Sequence, residues 1–465
     1  MADTGGETLI TDKSVPIRRV KTEENYDLDN EAVEIDNQNV EDPDNKLNPS
    51  PSFKQRWFGP LTEGGVRAST MSATAATFGT GCLTFPYIIS QVGVIPGVLI
   101  FLLVSFSMLY TLHLLSQSSL NANIFNFGEL TKKSVNNFCF IIYNVSTICF
   151  LIGAIMTYEL TSYQFLMDIF SNFFYEGDEE KRVPIKWKFA IIITVSCFCL
   201  QLPLCLIKNL SQLKYSSLVA TVSIILVTII TLITFFCKMS FENVQWVSSE
   251  KMKTVSWFLQ LTMITNAFVV FMFGYLNHNG FLLVIKNLKN PNEKRINKVL
   301  FRSFIIECIF YLILGLSGYF INPKLKNEFF INESKVNRII YIIAKAILIP
   351  CLQCLIPIRW NLLKESLASF FPSNEISSKV NLILTIVMLI LMNYSLLFIG
   401  KVIDIIGFVG GIFGVMICYF LPLFIFVAIF GKTRFRSIVG YVFLVFFGII
   451  GIISTEHSLF KSFYT

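Results

Sequence analysis

The chain has 465 residues, of which 54% are hydrophobic and only 15% charged, with 46 Phe and a mean hydropathy of +0.62. Ordinary soluble domains carry about 25% charged residues and keep a largely polar surface, so this composition excludes a soluble enzyme, a nucleic-acid module and a disordered scaffold and points to a polytopic membrane protein. The net charge of +7 is unevenly split: residues 1–50 hold 13 acidic and 5 basic side chains, a net of −8, leaving +15 on the remainder.

Residues 1–60 read as a disordered acidic tail: the acidic residues 1–50 hold one aromatic, Tyr26, and Pro49 and Pro51 close the acidic stretch. The first long apolar run begins near Arg67, with no apolar leader before it, so the tail is expected in the cytosol, solvated or as a docking segment for a cytosolic partner. The basic excess of the body suits loops against anionic lipid, not nucleic acid. Nearly all 11 Cys lie in apolar runs and none in a polar outer loop, so no structural disulfide is expected. Cys351-Leu-Gln-Cys354 has CxxC spacing, but within an apolar helix it reads as packing.

A bilayer core takes about 20 apolar residues per helix. Eleven segments qualify: 67–89, 92–116, 135–172, 187–206, 214–237, 257–284, 299–321, 336–358, 379–399, 403–430 and 437–456. The reading is an all-α membrane protein, with a transporter domain over 61–456 and a short tail over 457–465. Lys54, Arg56 and Arg67, with the block Lys286, Lys289, Lys294, Arg295 and Lys298, tip the N-terminus inward. The sequon Asn332-Glu333-Ser334 then falls outside.

Two segments look broken. The first contains Thr77-Phe78-Gly79-Thr80-Gly81-Cys82-Leu83-Thr84-Phe85-Pro86, and the sixth contains Phe273-Gly274-Tyr275-Leu276-Asn277-His278-Asn279-Gly280. Glycine, proline and hydroxyls at this density interrupt a helix. In hydrocarbon each unpaired backbone group costs several kcal/mol, so a break needs a reason. Close helix packing on small residues is one. The two breaks lie five helices apart, however, the unit of an inverted repeat, and such a matched pair points to a transporter's central site. Half-helix N-termini suit a carboxylate and freed carbonyls suit an amine, and an α-amino acid carries both.

Ionisable groups inside spans are functional candidates. Glu159 in the third segment is the preferred proton-linked carboxylate, with an aqueous extension of that long helix as its bland alternative. Glu307 and Lys345 read either as an ion pair or as groups facing a water-filled vestibule. His278, with an ordinary pKa of about 6.5, is a further proton-coupling candidate or a satisfied structural histidine. Asp404, Lys401, Asp168 and Arg359 read as interfacial.

Gly79-Thr80-Gly81-Cys82-Leu83-Thr84-Phe85-Pro86-Tyr87, followed by Gln91-Val92-Gly93, resembles the first-helix signature of the amino acid/auxin permease family. Within that family it is similar to the eukaryotic neutral and proton-coupled amino acid transporters. Phe273 to His278 resembles the family's F-A-F-x-x-H, Pro357-Ile358-Arg359 its eighth-helix ending, and Phe408-Val409-Gly410-Gly411 with Leu421-Pro422 its tenth helix. The resemblance runs from about residue 60 to 450. It implies a LeuT-type fold of two inverted five-helix repeats plus an eleventh helix, with helices one and six broken. It also implies secondary active transport of amino acids by alternating access, no enzymatic activity, no cofactor and no metal, and a plasma or vacuolar/lysosomal membrane. The implied substrate contacts are Thr77, Phe78, Gly79, Thr80, Gly81, Cys82, Phe273, Gly274 and Tyr275, with Tyr275 as a gate.

Two departures bear on the coupling ion. Ala75 stands where the sodium-coupled group has Asn, and Leu348-Ile349-Pro350-Cys351-Leu352 replaces a hydroxyl-bearing stretch. Sodium needs oxygen ligands, so proton coupling or facilitated transport is favoured, although Thr74 and Thr77 lie close by. Gly274 replaces a bulkier small residue, which is expected to enlarge the pocket. The alternative reading is a non-transporting amino acid sensor signalling through its N-terminal tail.

Overall fold

The computed structural model describes residues 64–174, 201–206, 214–238, 243–333, 338–370, 378–395, 401–432 and 435–464, all of them within the second of two compact units, Glu63–Thr465. The acidic tail, Cys197, Cys199, Ser334 of the sequon and most of the fourth apolar segment lie outside the described residues.

Every element among the described residues is helical. The main helices are α1 (Val66–Thr77), α2 (Phe85–Val92), α3 (Val94–Ala122), α4 (Phe127–Ser134), α5 (Asn137–Phe174), α6 (Lys214–Lys238) and α7 (Trp257–Tyr275). They continue with α8 (His278–Lys286), α9 (Glu293–Ile321), α10 (Arg338–Ala368), α11 (Ser378–Ser395), α12 (Val402–Phe430) and α13 (Phe435–Tyr464). Seven described spans are long and apolar enough to cross a bilayer: α3, α5, α7 running into α8, α9, α10, α12 and α13. At 1.5 Å per residue the 38 residues of α5 extend about 57 Å, well beyond a hydrocarbon core of about 30 Å. The final helix runs through the expected tail to Tyr464.

Both expected breaks are present. α1 stops at Thr77, Phe78 and Gly79 are extended, and a short 3₁₀ turn over Thr80–Thr84 leads into α2, which carries Pro86 in its first turn where a missing N–H costs nothing. α7 stops at Tyr275, and Leu276 and Asn277 leave helical geometry before α8 begins at His278. α1, α2, α3, α7, α8 and α9 pack on one another, while α10 packs along α5 and also touches α6. In α12 two successive π turns cover Gly410–Gly414 and Met416–Phe420. There Gly411 meets Gly451 of α13 so closely that a Cβ on Gly451 would lie 2.1 Å from the Gly411 carbonyl.

Candidate functional site

The two breaks face a shared cavity of about 20 Å³, lined by Thr77, Gly79, Thr80 and Gly81 from the first break and by Phe273, Gly274 and Leu276 from the second. Phe150, Ala154 and Tyr158 of α5 recur every fourth residue and present one stripe to it, and Arg359 of α10 completes the wall. The space suits one or two waters, so an amino acid enters only when the walls part. Thr80 is 1% exposed, and its Oγ1 has no hydrogen-bond partner among the described residues. The N–H groups of Thr80 and Gly81 open a 3₁₀ turn and so lack partners within it.

The freed carbonyls are accounted for by side chains. The Tyr311 hydroxyl of α9 lies 2.8 Å from the Gly274 carbonyl and 3.3 Å from the Thr77 carbonyl, so one group serves both breaks. Asn277 donates to the Ala73 carbonyl at 3.2 Å and to Thr77 Oγ1 at 3.0 Å. Thr84 Oγ1 donates to the Gly81 carbonyl at 2.8 Å, and the Cys82 thiol to that of Gly79 at 3.1 Å. These bonds keep the broken backbone affordable in an apolar setting.

A second cavity of about 10 Å³ lies beside the first and shares Thr77 with it. Its walls include Tyr275, Asn277, His278, Ser303, Phe304 and Glu307. Glu307 is 4% exposed, with its carboxyl within hydrogen-bonding reach of Thr77. Ser303, Glu307 and Tyr311 share one face of α9 at four-residue spacing. His278 pairs through Nε2 with Thr111 Oγ1 at 3.2 Å, and its Nδ1 is unpartnered.

Sequence and structure diverge at several residues. Thr77, Gly79, Thr80, Gly81, Phe273 and Gly274 meet at the first cavity as expected. Phe78 instead packs on Phe310 and Tyr311, and Cys82 is buried against its own turn. Tyr275 faces the second cavity, stacks on Phe304 with ring centres 5.0 Å apart, and accepts from Ser105 at 3.1 Å. The absent side chain at Gly274 does not enlarge the pocket: the Phe85 ring fills that space, and a Cβ there would stand 2.6 Å from its Cζ.

Lys345 pairs with Asp168, not with Glu307, because the antiparallel packing of α10 along α5 sets the start of one helix beside the end of the other. Glu159 is 5% exposed and sits one residue, or about 100°, around α5 from Tyr158, which turns it away from the substrate cavity. It ends an amide chain: Asn393 donates to Gln201 at 3.2 Å, Gln201 to Gln353 at 3.1 Å, and Gln353 to Glu159 Oε2 at 3.4 Å. Among the described residues Glu159 Oε1 has no hydrogen-bond partner. Arg359, read as interfacial, lines the cavity. Sequence reasoning missed Tyr311, Ser303, Phe150 and Tyr158; their period-four stripes were the available signal.

At the Lys345 end of α10, Glu328 lies between α9 and α10 and accepts from the backbone N–H groups of Val402 at 3.0 Å and Ile403 at 3.1 Å, and from Gln164 at 3.0 Å. Its carboxylate thus caps α12, placing negative charge at the positive end of that helix. Burial nevertheless raises its pKa above the ordinary 4.5, outweighing these hydrogen bonds.

A family model described as "Transmembrane amino acid transporter protein" matches residues 62–460. The putative amino acid transporter AAT1 of Plasmodium berghei is 27% identical over 297 residues, covering 63% of this chain and 45% of that protein. The chain therefore spans less than half the length of that relative. Sodium-coupled neutral amino acid symporter 2 of Danio rerio is 22% identical over 382 residues, 78% of this chain and 75% of that one. Vacuolar amino acid transporter 7 of Saccharomyces cerevisiae is 26% identical over 264 residues, 54% and 48% of the two chains. Among solved structures, Mhp1 in an inward-facing conformation superposes with a TM-score of 0.55 at 12% identity, covering 90% of this chain and 93% of that one. At that identity the likeness bears on the fold alone, which is of the LeuT type.

Proposed function

The chain belongs to the transmembrane amino acid transporter family, and from that premise we propose that it moves amino acids across a membrane by alternating access. The observation that carries this reading is the pair of helix breaks sharing one cavity, their carbonyls joined through the Tyr311 hydroxyl. In this reading eleven helices cross the bilayer as two inverted five-helix repeats plus one. The N–H groups of Thr80 and Gly81, with Thr80 Oγ1, take the substrate carboxylate, and carbonyls at the breaks take its amine. Phe273 and Gly274 form the opposite wall, and Tyr275 gates it.

The coupling ion in this proposal is the proton, or transport is facilitative. Leu348, Cys351 and Leu352 are fully buried and offer no oxygen side chain, and the Thr74 hydroxyl is engaged with the Thr70 carbonyl at 3.1 Å. Glu307 is the best-placed proton carrier, because it borders both breaks through Thr77 and Asn277. Water reaches such a carboxyl only as the cavity opens, which ties proton exchange to the conformational cycle. Glu159, His278 and Lys345 are less well placed. Glu159 sits in an amide chain away from the cavity, His278 is held by Thr111, and Lys345 is paired. The N-terminal tail lies in the cytosol and is the segment open to a soluble partner; the membrane is the plasma or the vacuolar/lysosomal one.

The test is uptake of radiolabelled amino acids into proteoliposomes, with pH and sodium gradients imposed separately. Uptake driven by an inward proton gradient in sodium-free buffer is expected. Abolished uptake in sodium-free buffer at acid pH would overturn the proton assignment, and absence of flux for any amino acid under either gradient would overturn the transport reading.

A further inference from the structure

The first two turns of α12, Val402–Val409, back the wall of the first cavity. Val409 packs into the gap left by Gly153 of α5, where a Cβ would stand 2.5 Å from Val409 Cγ2, and the next residue, Ala154, belongs to the cavity wall. Gly410 lies against α7: a Cβ there would stand 2.9 Å from Val269 Cγ1 and 3.7 Å from the ring of Phe273, another wall residue. Directly after Val409 come the two π turns over Gly410–Gly414 and Met416–Phe420. A π turn is a place where a helix bends, and Gly410, Gly411 and Gly414 leave the first of them with little side-chain resistance to bending. α13 grips the same turn where Gly411 meets Gly451. A short arm thus extends from a fixed joint across the back of the cavity.

The tip of that arm is held from elsewhere in the chain. The N-cap position of α12 is Lys401, whose ammonium has no acceptor and makes no cap. The acceptor is instead Glu328, 74 residues before Val402, whose carboxylate takes the N–H groups of Val402 at 3.0 Å and Ile403 at 3.1 Å together with the Gln164 amide of α5 at 3.0 Å. The segment that carries Glu328 is itself seated on the framework. Phe329 packs on Phe165 of α5 with ring centres 5.2 Å apart, and Phe330 on Tyr341 of α10 at 6.3 Å. A local cap travels with its helix. A remote cap breaks when the helix start moves, and two buried N–H groups then need new partners. We propose that Glu328 is a positioning residue of the transport cycle: it latches the hinged first half of α12 behind the cavity, and the cavity opens toward the membrane face that carries the α9–α10 connection when this latch releases. The proposal rests on the transport reading above, but the latch is measured by accessibility, which needs no flux.

The experiment uses the full-length protein in proteoliposomes sorted to one orientation by a C-terminal tag, with Ala154→Cys as a reporter in the cavity wall. A membrane-impermeant thiol reagent is applied to one face or to the other, and modification of position 154 is followed by mass spectrometry, which separates it from the native cysteines. Adding Glu328→Ala is expected to speed modification from the α9–α10 face at least fivefold and to leave the rate from the opposite face unchanged. Glu328→Gln, whose amide oxygen still accepts the two N–H groups, is expected to return the rate to within twofold of the reporter alone. Monodisperse elution in size-exclusion chromatography establishes that each variant is folded. If Glu328→Ala does not fold, Glu328→Asp decides: its carboxylate falls one methylene short, and a smaller rise from the same face is expected. An unchanged rate in the folded Ala or Asp variant, an equal rise from both faces, or a Gln variant as accessible as the Ala one overturns the proposal. A one-sided rise in a protein that moves no amino acid supports the latch and overturns only the transport reading.

Discussion

Of the three carboxyl groups buried among the described residues, Glu307 and Glu159 lie within helices at almost equal depth, but in opposite settings. Around Glu307 the helices are interrupted, and side chains are used to satisfy the backbone: Tyr311 reaches the carbonyls of Thr77 and Gly274, and Asn277 that of Ala73. Around Glu159 the bordering helices α5 and α10 continue past it, and side chains satisfy one another, in the order Asn393, Gln201, Gln353, Glu159. A polar group that props up broken backbone changes partners whenever that backbone moves. One that closes an amide chain between packed helices keeps its partners and adds cohesion. The same residue type therefore belongs to movement in one region and to framework in the other.

Four measurements break or sharpen this contrast. The largest effect is expected at Gly274, where a side chain would strike the Phe85 ring, itself wedged between Phe271 at 4.9 Å and Tyr311 at 5.2 Å. Gly274→Val should abolish amino acid uptake in proteoliposomes even when the protein is inserted and monodisperse; uptake near the wild-type rate would remove the second break from the site. Next, Glu307→Gln should cut uptake driven by a proton gradient by at least tenfold and flatten its pH dependence. Glu159→Gln should leave the pH profile in place within about threefold, and the reverse ranking would exchange the roles of the two regions.

A smaller effect is expected from Tyr311→Phe, which strips a donor from two buried carbonyls at a cost of about 1–3 kcal/mol; a lowered thermal midpoint together with slowed uptake is the expected pair. The smallest is expected at Glu328. Its pKa is higher in the capped arrangement than for a free carboxyl, so the capped form binds a proton more tightly. Capping is then favoured as pH falls through the range just above the ordinary carboxylate value and weakens as pH rises past the raised one. Hydrogen-exchange protection of the Val402 and Ile403 amides, corrected for intrinsic rates, should follow that trend. Glu328→Gln should keep the protection and lose the trend.

The membrane character and both broken helices were legible in the sequence, because glycine, proline and hydroxyl density acts locally on backbone geometry, and six of the nine residues expected at the substrate site line the first cavity. The residues that complete the site act across helices. A period-four stripe marks the helix face that Tyr311 or Tyr158 belongs to but not what that face meets, which only helix packing against the breaks decides. Arg359 looked interfacial because it follows Pro357 near the end of an apolar run, and only the approach of α10 to α5 turns it toward the cavity wall. Charge alone left Lys345 either paired with Glu307 or facing a vestibule, whereas chain direction set it beside Asp168.

Tyr311 has one hydroxyl hydrogen and two carbonyls within its reach. If the two half-helices slid apart, one of those carbonyls would lose this donor and need another. The hydroxyl is therefore a pin shared by two leaves, and opening the cavity between them means breaking one of its two bonds.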